Sequence, residues 1–201
     1  MEAKDRVILK SIELFQQAGI RLVTMDQIAG EVGMSKRTIY EMFKDKDDLL
    51  MQCLDIMNLQ TRTEIQEIIS KSANAIEALY LIGQHGEKRK ASINKLFFED
   101  FKKLYPQIWK NLREKNGPGR ESVSFTILQK GIKEDIFRGD LNLVIVDIFI
   151  HNMMETCHSA EIFPVESDLR DIIANVIIPY FRGIATRKGQ DLIEKYFSGN
   201  S

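Results

Sequence analysis

An all-α fold follows from three features of this 201-residue sequence. Apolar residues recur at spacings of three and four, the period of a helix buried on one face. No segment sustains the alternation of a strand bounded by turn residues. Proline is scarce, four in the chain, so little interrupts helical backbone. Hydrophobic residues make up 44% and charged residues 28%, enough apolar material for a core and too much for wholesale disorder. With 28 Lys and Arg against 29 Asp and Glu, the net charge is −1, so any nucleic-acid binding must come from a local patch. Cys53 and Cys157 lie far apart, which excludes a disulfide scaffold and a Cys-rich zinc module and suits a reducing cytoplasm. The start, Met1 to Arg6, is charged where a signal peptide needs an apolar core. The apolar stretch Leu143 to Ile150 is short and interrupted by Asp147, so no membrane span fits. A cytoplasmic location is expected.

Taken in order, Ile8, Ile12 and Phe15 fall at i, i+4 and i+7 and predict a first helix, with Gly19 as its C-cap. Thr24-Met-Asp-Gln27 matches a capping box, in which the threonine accepts from N3 and Gln27 reaches back. Ile28, Ala29 and Val32 then give a short apolar face, with Ala29 small where two helices must cross. Gly33 stands where a tight turn needs positive φ. Ser35 is the next N-cap, and Ile39 and Phe43 supply the buried face of the following helix. Two short helices joined by a glycine-containing turn make a helix-turn-helix. A long helix over residues 47–72 follows. Phe97, Phe101, Leu104, Tyr105, Ile108, Trp109 and Leu112 line one face of a single helix through four turns, broken at Asn116-Gly-Pro-Gly119. A further helix is expected from Arg120 to Phe137, stopped by Arg138-Gly-Asp140. Leu141 to His158 and Ser167 to about Lys188 form the last two long helices, split by the Phe163-Pro164 turn. Pro179 should kink or divide the second of these.

The stretch from Thr24 to Leu49, TMDQIAGEVGMSKRTIYEMFKDKDDL, resembles the DNA-binding signature of tetracycline-repressor-type (TetR family) regulators. Its specific part is Thr-Ile-Tyr-x-x-Phe-Lys-x-Lys, residues 38–46. With the preceding helix, which carries Phe15 and Gly19, the resemblance covers about a quarter of the chain. Phe98-Glu-Asp-Phe101 before Tyr105-Pro106, and residues 131–142, resemble that family more faintly. The resemblance implies a DNA-binding head over residues 1–46 and a helical ligand-binding and dimerisation body over 47–201. It also implies a homodimer joined through helices at about 141–159 and 167–187, and a repressor released from a near-palindromic operator by a small molecule.

The chemistry of the motif agrees. A helix entering the major groove by its amino end puts Ser35, Lys36, Arg37 and Thr38 at the base edges. Arg37 can pair in bidentate fashion with guanine O6 and N7, worth roughly 1–3 kcal/mol of discrimination. Thr38 can donate to a base or phosphate, or touch a thymine methyl. The resemblance makes Tyr40 a phosphate contact, brings Lys46 onto phosphate at the start of the next helix, and places Thr24 where the first motif helix is capped and meets the DNA backbone. Lys36, Arg37, Lys44 and Lys46 are opposed locally by Glu41 and Asp45. Residues 1–50 carry eight Lys and Arg against nine Asp and Glu, so the basic patch is narrow. Glu41 and Arg37 depart from residues common in the family, and an operator sequence cannot be transferred across those two positions.

Beyond the head, Met57, Tyr80, Phe97, Phe101, Tyr105, Trp109, Phe125 and His151 are candidates to line a ligand cavity. For each aromatic taken singly, ordinary core packing is the simpler expectation. His151, Glu155 and His158 share one helical face beside Cys157, a spacing with metal-ligand character. One straight helix rarely supplies three ligands, and no metal or cofactor is expected. Cys53 and Cys157 are expected to be inert packing residues. No phosphate-binding glycine loop, nucleophile elbow or zincin motif occurs, so an enzyme is not expected. A same-fold DNA-binding protein switched by a protein partner, and a helical metalloprotein, are the other classes open at this point.

Overall fold

The computed structural model of the chain describes residues 2–115, 117–157 and 169–197, the side chains of 113–115, 155, 157, 169 and 170 excepted. Helix follows helix: α1 (Ala3–Ala18), α2 (Met25–Val32), α3 (Lys36–Met42), α4 (Lys46–Lys71), α5 (Ala75–Ser92), α6 (Lys95–Leu104), α7 (Pro106–Lys115), α8 (Val123–Lys133), α9 (Leu143–Cys157), α10 (Leu169–Ile172), α11 (Ile178–Ile184) and α12 (Arg187–Phe197). Among the described residues the extended pairing is confined to an isolated bridge between Phe137 and Ala185. No described helix is long and apolar enough to cross a membrane.

The chain forms two compact units, Met1–Glu64 with His85–Glu114, and Ile65–Gln84 with Lys115–Ser201. The division at residues 46 and 47 expected from the sequence falls inside the first unit.

In the first unit, α1 ends on Gly19 at φ 85°, and α2 ends on Gly33 in the left-handed conformation at φ 69°. Gly33 and Met34 return their N–H groups to the last carbonyls of α2, which closes the turn within three residues. Val7, Ile8, Ile12 and Phe15 of α1 bury against Ile28, Ala29, Ile39 and Phe43, and the same cluster takes in Leu49, Leu50, Cys53, Phe97 and Phe101. Each large side chain so buried contributes about 1.5–3 kcal/mol relative to exposure. α2 and α3 are too short to be stable alone, so this shared core holds them.

Cys53 sits within that core, its thiol facing the Ile8 carbonyl at 3.6 Å. Burial pushes the thiol up to about 12. The peptide carrying Cys53 should therefore resist alkylation at about pH 8 in the native protein and react in denaturant, as peptide mapping would show.

The predicted single helix through residues 97–112 is in fact two. Pro106 lacks an N–H and excludes Tyr105 from helical backbone, and Tyr105 stands at φ −128°, ψ 49°. Pro106 then opens α7 at the one position where its missing donor costs nothing. The apolar face survives the break. Phe97 and Phe101 are buried, and the Phe101 and Trp109 rings meet edge to face at 5.2 Å.

In the second unit, Ala75, Ile76, Leu128, Ile136, Phe137, Phe181 and Ile193 form the core. The helix expected from Arg120 to Phe137 is shorter at both ends. Ser122 caps α8 by accepting from Phe125 N–H at 3.0 Å, and Asp135 adopts φ 57° just beyond the end. Ile136 and Phe137 then turn their N–H groups onto the Gly131 carbonyl. Asn142 caps α9 by accepting from Val144 and Ile145 N–H groups. Buried Asp147 accepts from Gly119 N–H and Ser122 Oγ at 2.7 Å each, and from Ser124 Oγ, so its lone pairs are matched by three donors.

The helix expected from Ser167 to about Lys188 is divided. Ile173–Ile177 form one π turn, in which Ile178 N–H donates to the Ile173 carbonyl five residues back, and Pro179 follows at the start of α11. α11 ends at Ile184, and Lys188 belongs to α12, a separate helix not anticipated from the sequence. Thr186 caps α12 by accepting from Gly189 N–H. The Phe163-Pro164 turn, Asn116 and His158 lie outside the described residues.

Candidate nucleic-acid interface

α3 is a seven-residue helix with one anchored side, where Ile39 is fully buried and Phe43 closes its carboxyl end. Anchoring that side turns Lys36, Arg37 and Tyr40 outward. Ser35 caps the helix, its Oγ accepting from Thr38 N–H at 3.1 Å and lying 2.8 Å from Thr38 Oγ1. Both hydroxyls therefore stand at the amino end of α3, beside the positive end of the peptide dipoles. At the entrance to α2, Thr24 Oγ1 accepts from Gln27 N–H at 3.2 Å, the forward half of the predicted capping box. Arg6 donates to the Val32 carbonyl at 3.2 Å and ties α1 to the end of α2.

The cations are differently disposed. Arg37 is 88% exposed, with its Nε 3.1 Å from the Glu41 carboxylate one turn on. Glu41 was expected near the groove; its i, i+4 spacing from Arg37 is the signal for this pair. Lys36 Nζ lies 2.6 Å from Asp26 of α2, and that carboxylate raises the lysine above its ordinary value. Tyr40 is 45% exposed, and Lys44 is exposed beyond the end of α3. Lys46 is turned inward. Its Nζ donates to the Ile20 carbonyl at 2.5 Å, and burial pushes its pKa down against the opposing pull of Asp47 and Asp100.

The α3–α4 turn is closed by two carboxylates, with Asp48 N–H donating to Asp45 Oδ1 at 2.8 Å and Lys44 N–H to Asp48 Oδ2 at 3.0 Å. The Lys44 N–H, then Gln52, holds Asp48 below the usual carboxylate range. Thr24, Ser35, Lys36, Arg37, Thr38, Tyr40, Lys44 and Lys46 thus all belong to the first unit, on α3, on the turns beside α2 and α3, and at the first residue of α4.

The candidate cavity residues divide. Met57, Phe97, Phe101, Tyr105 and Trp109 belong to the first unit and pack in its apolar cluster. Tyr80, Phe125 and His151 belong to the second. Tyr80 packs on Tyr196 and Phe197, with ring centres 5.8 and 5.6 Å away. Phe125 lines a hollow of about 220 Å³ with Pro118, Gly119, Arg120, Val144, Asp147 and Ile148. Of the His151, Glu155 and His158 constellation, only the half-buried His151 side chain is described.

Residues 8–53 match the family model described as bacterial regulatory proteins, tetR family. An uncharacterized HTH-type transcriptional regulator of Bacillus subtilis (strain 168), YerO, is 36% identical over 69 residues, which is 33% of this chain and 24% of that relative. The match thus spans about a quarter of the curated relative's length. A transcriptional regulator from Cytophaga hutchinsonii superposes with a TM-score of 0.63 at 19% identity, covering 97% of this chain and 96% of that one. SmeT, the repressor of the Stenotrophomonas maltophilia multidrug efflux pump SmeDEF, gives 0.61 at 14% identity, covering 93% and 92%. At such identities the structures share the fold.

Proposed function

We propose, from the match of residues 8–53 to the family model of bacterial regulatory proteins, tetR family, that the chain is a homodimeric DNA-binding repressor of that family, released from a near-palindromic operator by a small-molecule effector. The observation that carries this reading is the amino end of α3. Ser35, Lys36, Arg37 and Thr38 stand there on a helix whose other side is fixed by Ile39 and Phe43. Arg37, Thr38 and Lys36 read base edges, while Thr24, Tyr40, Lys44 and the backbone N–H groups at the start of α4 meet phosphates. Glu41 holds the Arg37 guanidinium extended along α3 until guanine takes its place.

One head reaches a few base pairs, so two heads on a two-fold site are required for useful affinity. The face that supports pairing is on α9. Val146, Ile150 and Met153 are buried within the unit, while Val144, Ile145, Ile148 and Phe149 at i, i+1, i+4 and i+5 remain exposed. An apolar stripe of that kind on a helix already buried along its opposite side suits a second copy of the same chain.

Release by an effector is a shift of population. A molecule that prefers the non-binding spacing of two heads weakens operator binding only by its differential affinity for the two states. The candidate cavity residues enter this reading through the family resemblance.

Selection of bound sequences from a random duplex pool tests the reading directly, because it returns the half-site and its spacing together. Replacing Arg37 by Ala should cost about 1–3 kcal/mol on the preferred operator and relax selection at one base pair. Retained selection at every base pair would refute the role given to Arg37.

A further inference from the structure

The chain enters the helix-turn-helix after α1 and leaves it at the start of α4, and both passages are gripped by the segment 94–105. Asn94 makes three bonds at once. Its Oδ1 accepts from Leu96 N–H at 3.0 Å and so caps α6, its Nδ2 donates to the Gln17 carbonyl at 2.8 Å, and its backbone N–H donates to the Gln16 carbonyl at 2.8 Å. The amino end of α6 thereby satisfies carbonyls at the carboxyl end of α1, which its own helix leaves without donors. Asp100 accepts from Arg21 N–H at 2.7 Å. A Cβ on Gly19 would lie 2.9 Å from both Asp100 Oδ2 and Leu96 Cβ, so this glycine also permits the close approach of α6. At the exit, Tyr105 donates its hydroxyl to Asp47 Oδ1 at 2.7 Å. Lys46 then bonds the exit to the entrance through the Ile20 carbonyl.

We propose that Asn94, Asp100, Tyr105 and Lys46 form a clamp on both ends of the helix-turn-helix, and that they are positioning residues for DNA binding rather than groups that touch DNA. The inference rests on the DNA-binding reading above. It reassigns the Lys46 ammonium, which a phosphate contact would hold in solvent and which here lies half-buried on a backbone carbonyl. A loosened pin lowers the fraction of heads in reading geometry, and apparent Kd rises in inverse proportion. No phosphate contact is lost, so the dependence of affinity on salt is unchanged.

The test uses the full chain, its selected operator and the variants Lys46→Met and Asn94→Asp. The methionine keeps an apolar stem but cannot donate. The aspartate keeps an oxygen for the α6 cap but loses the Nδ2 donor and sets a carboxylate against the Gln17 carbonyl. For each, operator Kd should rise about tenfold at temperatures well below the melting midpoint. The slope of log Kd against log salt should equal that of the wild type, and the double variant should lose less than the product of the two. A slope reduced by about one in Lys46→Met would show a direct phosphate contact and overturn the reassignment. An unchanged Kd in folded Asn94→Asp would overturn the clamp. Should that variant not fold, Tyr105→Phe removes a single hydroxyl, with about a threefold rise expected and no rise counting against the clamp. A wild-type chain that binds no duplex would instead remove the DNA-binding reading, which separates the two failures.

Discussion

On the proposed dimeric reading, replacing Ile145 by Asp is expected to leave monomers at micromolar concentration, where the unsubstituted chain pairs, and to weaken operator binding by at least about a hundredfold, since the second head then no longer binds as part of one molecule. Ile145 is 64% exposed in the single chain, so the substitution removes little from the core of the second unit. Its effect appears where two copies meet. A two-fold interface brings the introduced carboxylate into an apolar seam twice, and an unpaired charge there costs several kcal/mol. Light scattering should report a single-chain mass. Circular dichroism should report unchanged helix content. The combination matters, because a variant that stays dimeric and binds operator normally would place the subunit contact elsewhere than α9.

Replacing Gly189 by Ala should destabilise the fold more than any exposed substitution. A Cβ there would lie 2.2 Å from the Ile136 carbonyl oxygen and 2.9 Å from Ala185 Cβ. The carbonyl is not free to retreat, because it accepts from Thr186 N–H at 2.9 Å and is approached by Thr186 Oγ1 at 3.2 Å. Relief therefore requires α12 to move off the 135–137 turn, and Ile193, almost fully buried, moves with it. Overpacking of this kind costs about 3 kcal/mol, equivalent to a fall of roughly 6–12 °C in the melting midpoint of a chain this size. Thermal denaturation within about 2 °C of the wild type would show that α12 tolerates the displacement. Gly83, which has nothing near its Cβ position, is the control, and Ala there should be neutral or stabilising.

The two glycines show the limit of what the chain alone discloses. Gly33 was legible because its role is local. It follows α2, precedes Ser35 and takes the positive φ that such a turn requires. Gly189 gave no sign, since its neighbour in space, Ile136, is fifty-three residues away in sequence. The same contrast separates Arg37 from Lys46. Arg37 lies on a short helix whose buried and exposed sides follow from Ile39 and Phe43, so its outward position could be read from spacing. Lys46 lies at a helix start, where spacing says nothing about which carbonyl its ammonium will find. For α7 the information was present and outweighed. Pro106 marked a boundary, but the continuous apolar face from Phe97 to Leu112 suggested one helix, because two helices in series can keep one face buried. α12 went unseen for another reason. Its apolar positions, Leu192, Ile193, Tyr196 and Phe197, begin just after a segment that itself reads as helix, and the Thr186 cap was the only punctuation between them.

By itself the sequence determined an all-helical chain, the carboxyl end of α1, the caps of α2 and α3, and the motif in which Ser35 caps a helix carrying Lys36, Arg37 and Thr38. Caps, breakers and the 3.6-residue period act over a few neighbours, and hydrogen bonds within one helix follow from them. Tertiary structure decided that Asn94 and Asp100 would grip the passage into that motif, that Lys46 would turn inward, and that α9 would keep one apolar stripe uncovered. Those outcomes depend on which surfaces meet, and contact between residues 26 to 79 positions apart is set by packing of the assembled helices, which no local period encodes.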